Sequence, residues 1–90
     1  MTRDEILATA TKYVTHDRNK SHGSPENTFG LIAIYWSAHL ETNVSASDVA
    51  VMMTLLKLAR LKSNQSNEDN WIDAAGYMAC GGELATEDKQ

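Results

Sequence analysis

The sequence lacks the features that mark secreted and membrane proteins. It has one cysteine, Cys80, which cannot form a disulfide within the chain, so nothing points to an oxidising compartment. No run of about 18 apolar residues is present, and the N-terminal residues MTRDEIL lack the apolar stretch of a signal peptide. These absences predict a cytoplasmic protein with no membrane-spanning segment.

The chain also lacks an excess of positive charge. Its net charge of −4 argues against a protein that coats nucleic acid, since that mode of binding needs a basic surface. Ninety residues make one domain, and a chain this short buries only about 60 to 65% of the surface it exposes when unfolded. We therefore expect a helical domain over residues 1–85, a solvated tail over 86–90, and a homo-oligomer that covers more apolar surface.

Four segments have apolar residues at helical spacing, and no segment alternates like a strand beyond a few residues. We predict helices over about residues 2–16, 25–41, 46–62 and 67–80. Ser45 with Asp48, and Ser66 with Asp69, resemble capping boxes, and Gly81 with Gly82 should end the last helix. The short connections predict an all-α, compact antiparallel four-helix bundle.

Apolar residues lie on one face of each of the first two helices, where they should form the core. These are Ile6, Leu7, Ala10, Tyr13 and Val14 in the first helix and Phe29, Ile32, Trp36 and Leu40 in the second. The third helix differs, because VAVMMTLLKLARL is apolar on nearly every side, and such a helix should be buried. Its two cations, Lys57 and Arg60, would then need anionic partners.

Two kinds of partner fit Lys57 and Arg60, which lie three residues apart on one helix face. Asp69 and Asp73 of the next helix lie four residues apart and offer a structural ion pair. Alternatively, a ligand phosphate or carboxylate is bound by the lysine as a point charge and by the arginine as a fork. The two interpretations are compatible, because the acids can orient the cations toward a bound ligand.

A second basic group, Arg18, Lys20 and His22, precedes the second helix. That helix has a good start, with Ser24 as a cap and Pro25 in its first turn. Because the free N–H groups at a helix start favour anions, this loop is a candidate phosphate site. The alternative is a solvated polar turn.

Two tryptophans and a tyrosine are candidates for core or ligand contacts. Trp36 lies in an apolar stripe and should belong to the core. Trp71 stands near polar residues, where its ring can stack on a base, and Tyr77 can supply a hydroxyl. Cys80 has no activating base beside it in sequence and is expected to be a buried thiol.

The segments DRNKSHGSPENTFGLIAIYWSAHL, DVAVMMTLLKLAR and DNWIDAAGYMACGGE together resemble a family of small phage and prophage proteins. The resemblance covers about residues 3–85. It implies a distant similarity to the MazG-like all-α NTP pyrophosphohydrolases and a role linked to nucleotides. The positions that match the family pattern are Arg18, His22, Gly23, Asn27, Phe29, Trp36, Asp48, Lys57, Arg60, Asp69, Trp71, Asp73, Gly76 and Tyr77.

Hydrolysis by such enzymes needs Mg²⁺ held by acidic pairs on facing helices. The paired-glutamate motif is absent here, since the second helix has only Glu26 and Glu41. The other acids are scattered along the chain: Asp48, Asp69, Asp73 and Glu83. No zinc site is expected, because the histidines have no metal-ligand spacing with one another or with the cysteine.

The sequence therefore supports three hypotheses. The first is a phage-encoded protein that binds or sequesters a nucleotide or nucleotide-derived signalling molecule, for example to counter host defence. Its expected ligand-binding residues are Arg18, Lys20, His22, Lys57, Arg60, Trp71, Asp73 and Tyr77. The second is a Mg²⁺-dependent nucleoside triphosphate pyrophosphohydrolase that uses Asp48, Asp69 and Asp73. The third is a protein that inhibits a host factor through an exposed helix face.

Overall fold

The computed structural model describes residues 1–17 and 25–87, with the backbone alone for residues 17, 25 and 26. Within that part the chain is all-helical, with four α-helices and no strand, as the sequence predicts. Helix α1 spans Arg3–Lys12 and continues into a π-helical turn at Tyr13–Asp17. Helix α2 spans Pro25–Leu40, α3 spans Ala46–Ser63 and α4 spans Glu68–Thr86.

Side chains cap the starts of three helices. The predicted capping box of α3 is confirmed, because Ser45 Oγ accepts a hydrogen bond from the Asp48 N–H and Asp48 Oδ2 accepts one from the Ser45 N–H, both at 3.0 Å. Thr2 and Glu5 form the same box at α1. The box predicted at Ser66 is wrong, since the extended residue directly before α4 is Asn67, whose Oδ1 accepts from the Asn70 N–H at 3.1 Å.

A tight turn follows α2 and brings the chain back to α3. Glu41 has a φ of 55°, in the left-handed region, which ends the helix at Leu40. Ser37 Oγ then donates to the Val44 carbonyl at 3.2 Å and accepts from the Val44 N–H at 2.9 Å. These two bonds fix the α2–α3 connection, and Val44 enters the core.

The core lies where α2, α3 and α4 meet. Its buried members are Phe29, Ala33, Val44, Val49, Ala50, Tyr77 and Cys80, with Val14, Ile32 and Trp36 packed against them. The prediction of core positions is confirmed for Trp36 and Cys80. It is wrong for Leu7 and Leu40, which are more than half exposed because each lies at an edge or end of its apolar stripe.

A glycine of α4 lets this helix approach α3 closely. A Cβ added at Gly81 would lie 2.8 Å from Ala50 Cβ, which is closer than Cβ atoms approach non-bonded atoms in proteins. The prediction that the two glycines end the helix is therefore wrong, since α4 continues through Gly81 and Gly82 to Thr86. Contacts between positions 50 and 81 and between 57 and 73 mean that α3 and α4 run in opposite directions.

The outer face of α3 is open to solvent, against the prediction that this helix is buried on every side. The face carries Val51, Met52, Leu55, Leu56 and Leu58, which are between 38% and 56% exposed. Helices α2 and α4 pack against α3 from its inner side, where Val49, Ala50 and Leu61 are buried. A helix that is apolar all round has thus buried only half of its circumference within this chain.

Among the described residues, no helix is both long enough and apolar enough to span a bilayer.

Candidate functional site

An ion pair between α3 and α4 forms the centre of the candidate site. Lys57 Nζ lies 2.9 Å from Asp73 Oδ2, and the two side chains are 13% and 24% exposed. This confirms the predicted structural ion pair for Lys57 and Asp73. Because neither side chain is fully buried, the ion pair lies close to the protein surface.

Asp73 also lines a small cavity. The cavity has a volume of about 10 Å³, room for one water molecule. Its walls come from α1, the π-turn, α2 and α4: Ala10, Tyr13, Val14, Phe29, Ile72, Asp73, Gly76, Tyr77 and Cys80. A nucleotide does not fit inside, so a ligand at this site must lie on the surface and contact the ion pair from outside.

The other predicted residues of α3 and α4 divide between two faces. Arg60 and Asp69 are both exposed, and the described residues include no ion-pair partner for either. Arg60 lies on the flank of Lys57, about 5 to 6 Å away between Cβ atoms. Lys57 and Arg60 therefore share one face of α3, as the sequence predicts.

Trp71 lies away from this face. It is two residues before Asp73, which places the two side chains about 200° apart around α4. Its ring is 45% exposed, and its Nε1–H donates to the Gln65 carbonyl at 2.8 Å. The ring borders a separate surface groove of about 220 Å³ together with Met1, Ile6, Gln65, Ser66 and Glu68. Trp71 and Asp73 therefore lie on opposite sides of α4.

Tyr77 lies on the same face of α4 as Asp73, one turn further on. Its side chain is buried, and its ring packs against Phe29 at a centroid distance of 6.1 Å and an interplanar angle of 41°. This is a tilted aromatic pair typical of a core. Tyr77 thus contributes mainly to packing around the cavity.

The predicted basic loop lies outside the described residues. Arg18, Lys20 and His22 all fall between the π-turn and α2. The elements on either side of that loop contribute Val14 and Phe29 to the cavity wall.

The three acids of the hydrolase hypothesis do not form one site within the described chain. Asp48 lies nine residues before Lys57, about 14 Å along α3, while Asp73 contacts Lys57 directly. Asp48 is held at the helix start instead, where the hydrogen bonds from Ser45 lower the pKa of its carboxyl. No group of three His, Cys, Asp or Glu side chains suited to a metal ion exists among the described residues.

Two features of this region were not predicted from the sequence. One is the π-turn, which directs Tyr13 and Val14 toward the cavity. The other is Gly76, where a Cβ would lie 3.0 Å from Val14 Cγ1. A signal for Gly76 was present, because a glycine inside an apolar helix often marks a close approach.

The fold and site define a small all-helical domain with a partly buried ion pair beside a water-sized cavity. The chain belongs to a family described as Domain of unknown function (DUF6378), which matches residues 5–85. It is 39% identical over 77 residues to the Gene 55 protein of Mycobacterium phage D29, covering 86% of this chain and 51% of that protein. It is 37% identical over 73 residues to the Gene 55 protein of Mycobacterium phage L5, covering 80% and 47%.

These comparisons confirm the resemblance to a family of phage proteins. The chain spans about half the length of the relatives it matches. No solved structure matches the chain. Similarity to the MazG-like enzymes stays a prediction.

Proposed function

We propose that this domain binds a phosphorylated, nucleotide-like small molecule on the surface formed by α3 and α4, without hydrolysing it. In this proposal it sequesters a nucleotide-derived signal in the cytoplasm of an infected bacterium, as a self-associating, MazG-like antiparallel bundle. The observation that carries the proposal is the ion pair between Lys57 and Asp73, with Arg60 exposed on its flank.

The ion pair supports anion binding because it holds the Lys57 ammonium in place and leaves some of its N–H donors free for a ligand. A lysine ammonium has three N–H donors, and a single carboxylate oxygen lies 2.9 Å from Lys57 Nζ. The Lys57 side chain is 13% exposed, so the ion pair lies close to the surface, where a ligand can approach it. Arg60 can then add a bidentate contact to the same phosphate.

Calorimetric titration of the full chain with mono-, di-, tri- and cyclic nucleotides tests this proposal, first without Mg²⁺. We expect binding by at least one phosphorylated ligand, and about a 10- to 150-fold loss of affinity in Arg60→Ala, since a charge-assisted bond contributes about 1.5 to 3 kcal/mol. Lys12→Ala is the matched control, because Lys12 is an exposed cation at the end of α1. Equal affinities in both variants, or no heat with any nucleotide, contradict the proposal.

The same titration with Mg²⁺ separates binding from hydrolysis. Release of pyrophosphate that stops with EDTA would replace the proposal with the pyrophosphohydrolase hypothesis. Such an enzyme would need further metal-binding groups from outside the part of the single chain that the structure describes.

A second candidate function is favoured by a different observation, the exposed apolar face of α3. A protein that inhibits a host factor would dock through such a face. It predicts that Arg60→Ala changes neither nucleotide affinity nor any activity, and that charges placed on the α3 face abolish binding of one host protein.

A further inference from the structure

The outer face of α3 is apolar and open to solvent within this chain. Val51, Leu55 and Leu58 are each about half exposed on it, and Met52 and Leu56 beside them are 38% and 43% exposed. A contiguous exposed apolar patch of this kind marks an interaction site.

The spacing of this face fits helix-to-helix pairing. Asp48, Val51, Leu55, Leu58 and Lys62 follow one another at intervals of three, four, three and four residues. That spacing is the apolar seam of a coiled coil. The seam begins with an exposed acid and ends with an exposed base, and three apolar residues lie between them.

We infer that two copies of this chain pair through α3, antiparallel, about a two-fold axis at Leu55. In such a pair, positions equally far before and after the axis face each other, so Asp48 faces Lys62 of the partner subunit at both ends. Leu58 packs beside Val51 of the partner subunit. A parallel pair would instead place acid against acid and base against base, which the charges disfavour.

A second exposed stripe, on α2, is a weaker candidate. It carries Leu31, Ile34 and Tyr35, which are at least half exposed. Within the described part of α2, no oppositely charged residues close the two ends of this stripe. The α3 face is therefore the interface that the charges select.

The α3 dimer rests on the self-association named in the proposed function. It is tested without any nucleotide, so a negative result for the dimer can be told apart from a negative result for ligand binding. Sedimentation velocity of the full chain over a range of concentrations should give a dimer. Leu55→Glu places two like charges at the axis and should give monomers. Leu7→Glu is the matched control, because Leu7 is 59% exposed on α1, and it should leave the dimer intact.

Charge exchange tests the antiparallel register. Asp48→Lys and Lys62→Asp should each self-associate about tenfold more weakly, because each homodimer then has two repulsive contacts. An equimolar mixture should restore the dimer, since both contacts become attractive. Lys62→Asp leaves every cap intact, so it separates the interface from the fold if Asp48→Lys unfolds α3.

Three results would overturn the inference. One is a monomer at every concentration. Another is dispersal of the dimer by Ile34→Glu but not by Leu55→Glu. The last is a mixture of the two charge variants that associates no better than either variant alone.

Discussion

Gly81→Ala should destabilise the fold, whereas Gly82→Ala, one residue further along α4, should stabilise it. Both replacements lie inside the helix and gain about 0.8 to 1 kcal/mol of helix propensity. They differ in what the added methyl meets. At position 81 it would lie 2.8 Å from Ala50 Cβ and 3.9 Å from the Ser47 carbonyl, and at position 82 no atom lies within 4 Å.

The steric clash at position 81 determines how far the two variants differ in stability. Carbon atoms in contact lie about 3.5 to 4.0 Å apart, so α3 and α4 must separate by roughly 1 Å. Overpacking costs about 1 to 3 kcal/mol, and Ala50 Cβ has no rotamer that moves it away. After the propensity gain, we expect Gly81→Ala to lose up to about 2 kcal/mol and Gly82→Ala to gain about 0.8 to 1 kcal/mol.

Urea unfolding followed by circular dichroism measures this difference at one fixed protein concentration, because self-association also shifts stability. For a domain of this size, 1 kcal/mol corresponds to about 4 to 8 °C in Tm. The swap Ala50→Gly with Gly81→Ala should recover most of the steric loss. If Gly81→Ala proves as stable as Gly82→Ala, the close approach of α3 and α4 is refuted.

Three further predictions follow from single contacts. Asp73→Ala should cost about 1 to 3 kcal/mol in urea unfolding by leaving the Lys57 charge unpaired, and adding Lys57→Met should recover part of that loss. Hydrogen bonds from the backbone N–H groups of the cap residues lower the pKa of Glu5 and Asp48 below the ordinary values of 4.5 and 3.8. Their stabilisation is therefore complete above those values and is lost as the pH falls through the lowered folded-state pKa, so neutral substitutions there should flatten the acid branch of a stability–pH profile. Ile72→Ala should cost about 2 to 5 kcal/mol in the same unfolding assay, because Ile72 is only 3% exposed and its truncation would enlarge the cavity that it lines.

Local sequence signals predicted the helices and one capping box correctly, because these depend on residues close in sequence. The pairing of Lys57 with Asp73 was one of two interpretations of the sequence, and the structure shows it because α3 and α4 meet at those positions. The separation of Trp71 from Asp73 could have been predicted from the sequence, since residues two positions apart lie about 200° apart around a helix.

Other features depend on what lies opposite in the fold. In the sequence, a pair of glycines that ends a helix cannot be told from a pair that lets a second helix approach closely. For Gly81, only the position of Ala50 in the fold shows that the glycine serves the close approach. The apolar circumference of α3 predicted burial without saying which chain buries it. Within the described chain, Leu55 and its neighbours stay exposed, so the prediction of burial was wrong for one chain. The second copy that we propose would bury them.

The central claim, anion binding beside the Lys57–Asp73 pair, is tested most directly by locating the bound ligand. A titration of ¹⁵N-labelled full chain with a nucleotide, without Mg²⁺, reports shifts of each backbone amide. We predict saturable shifts centred on Lys57, Arg60 and Asp73, which disappear in Arg60→Ala and persist in Lys12→Ala. Saturable shifts confined to the groove beside Trp71, or no shifts with any nucleotide, would contradict the account.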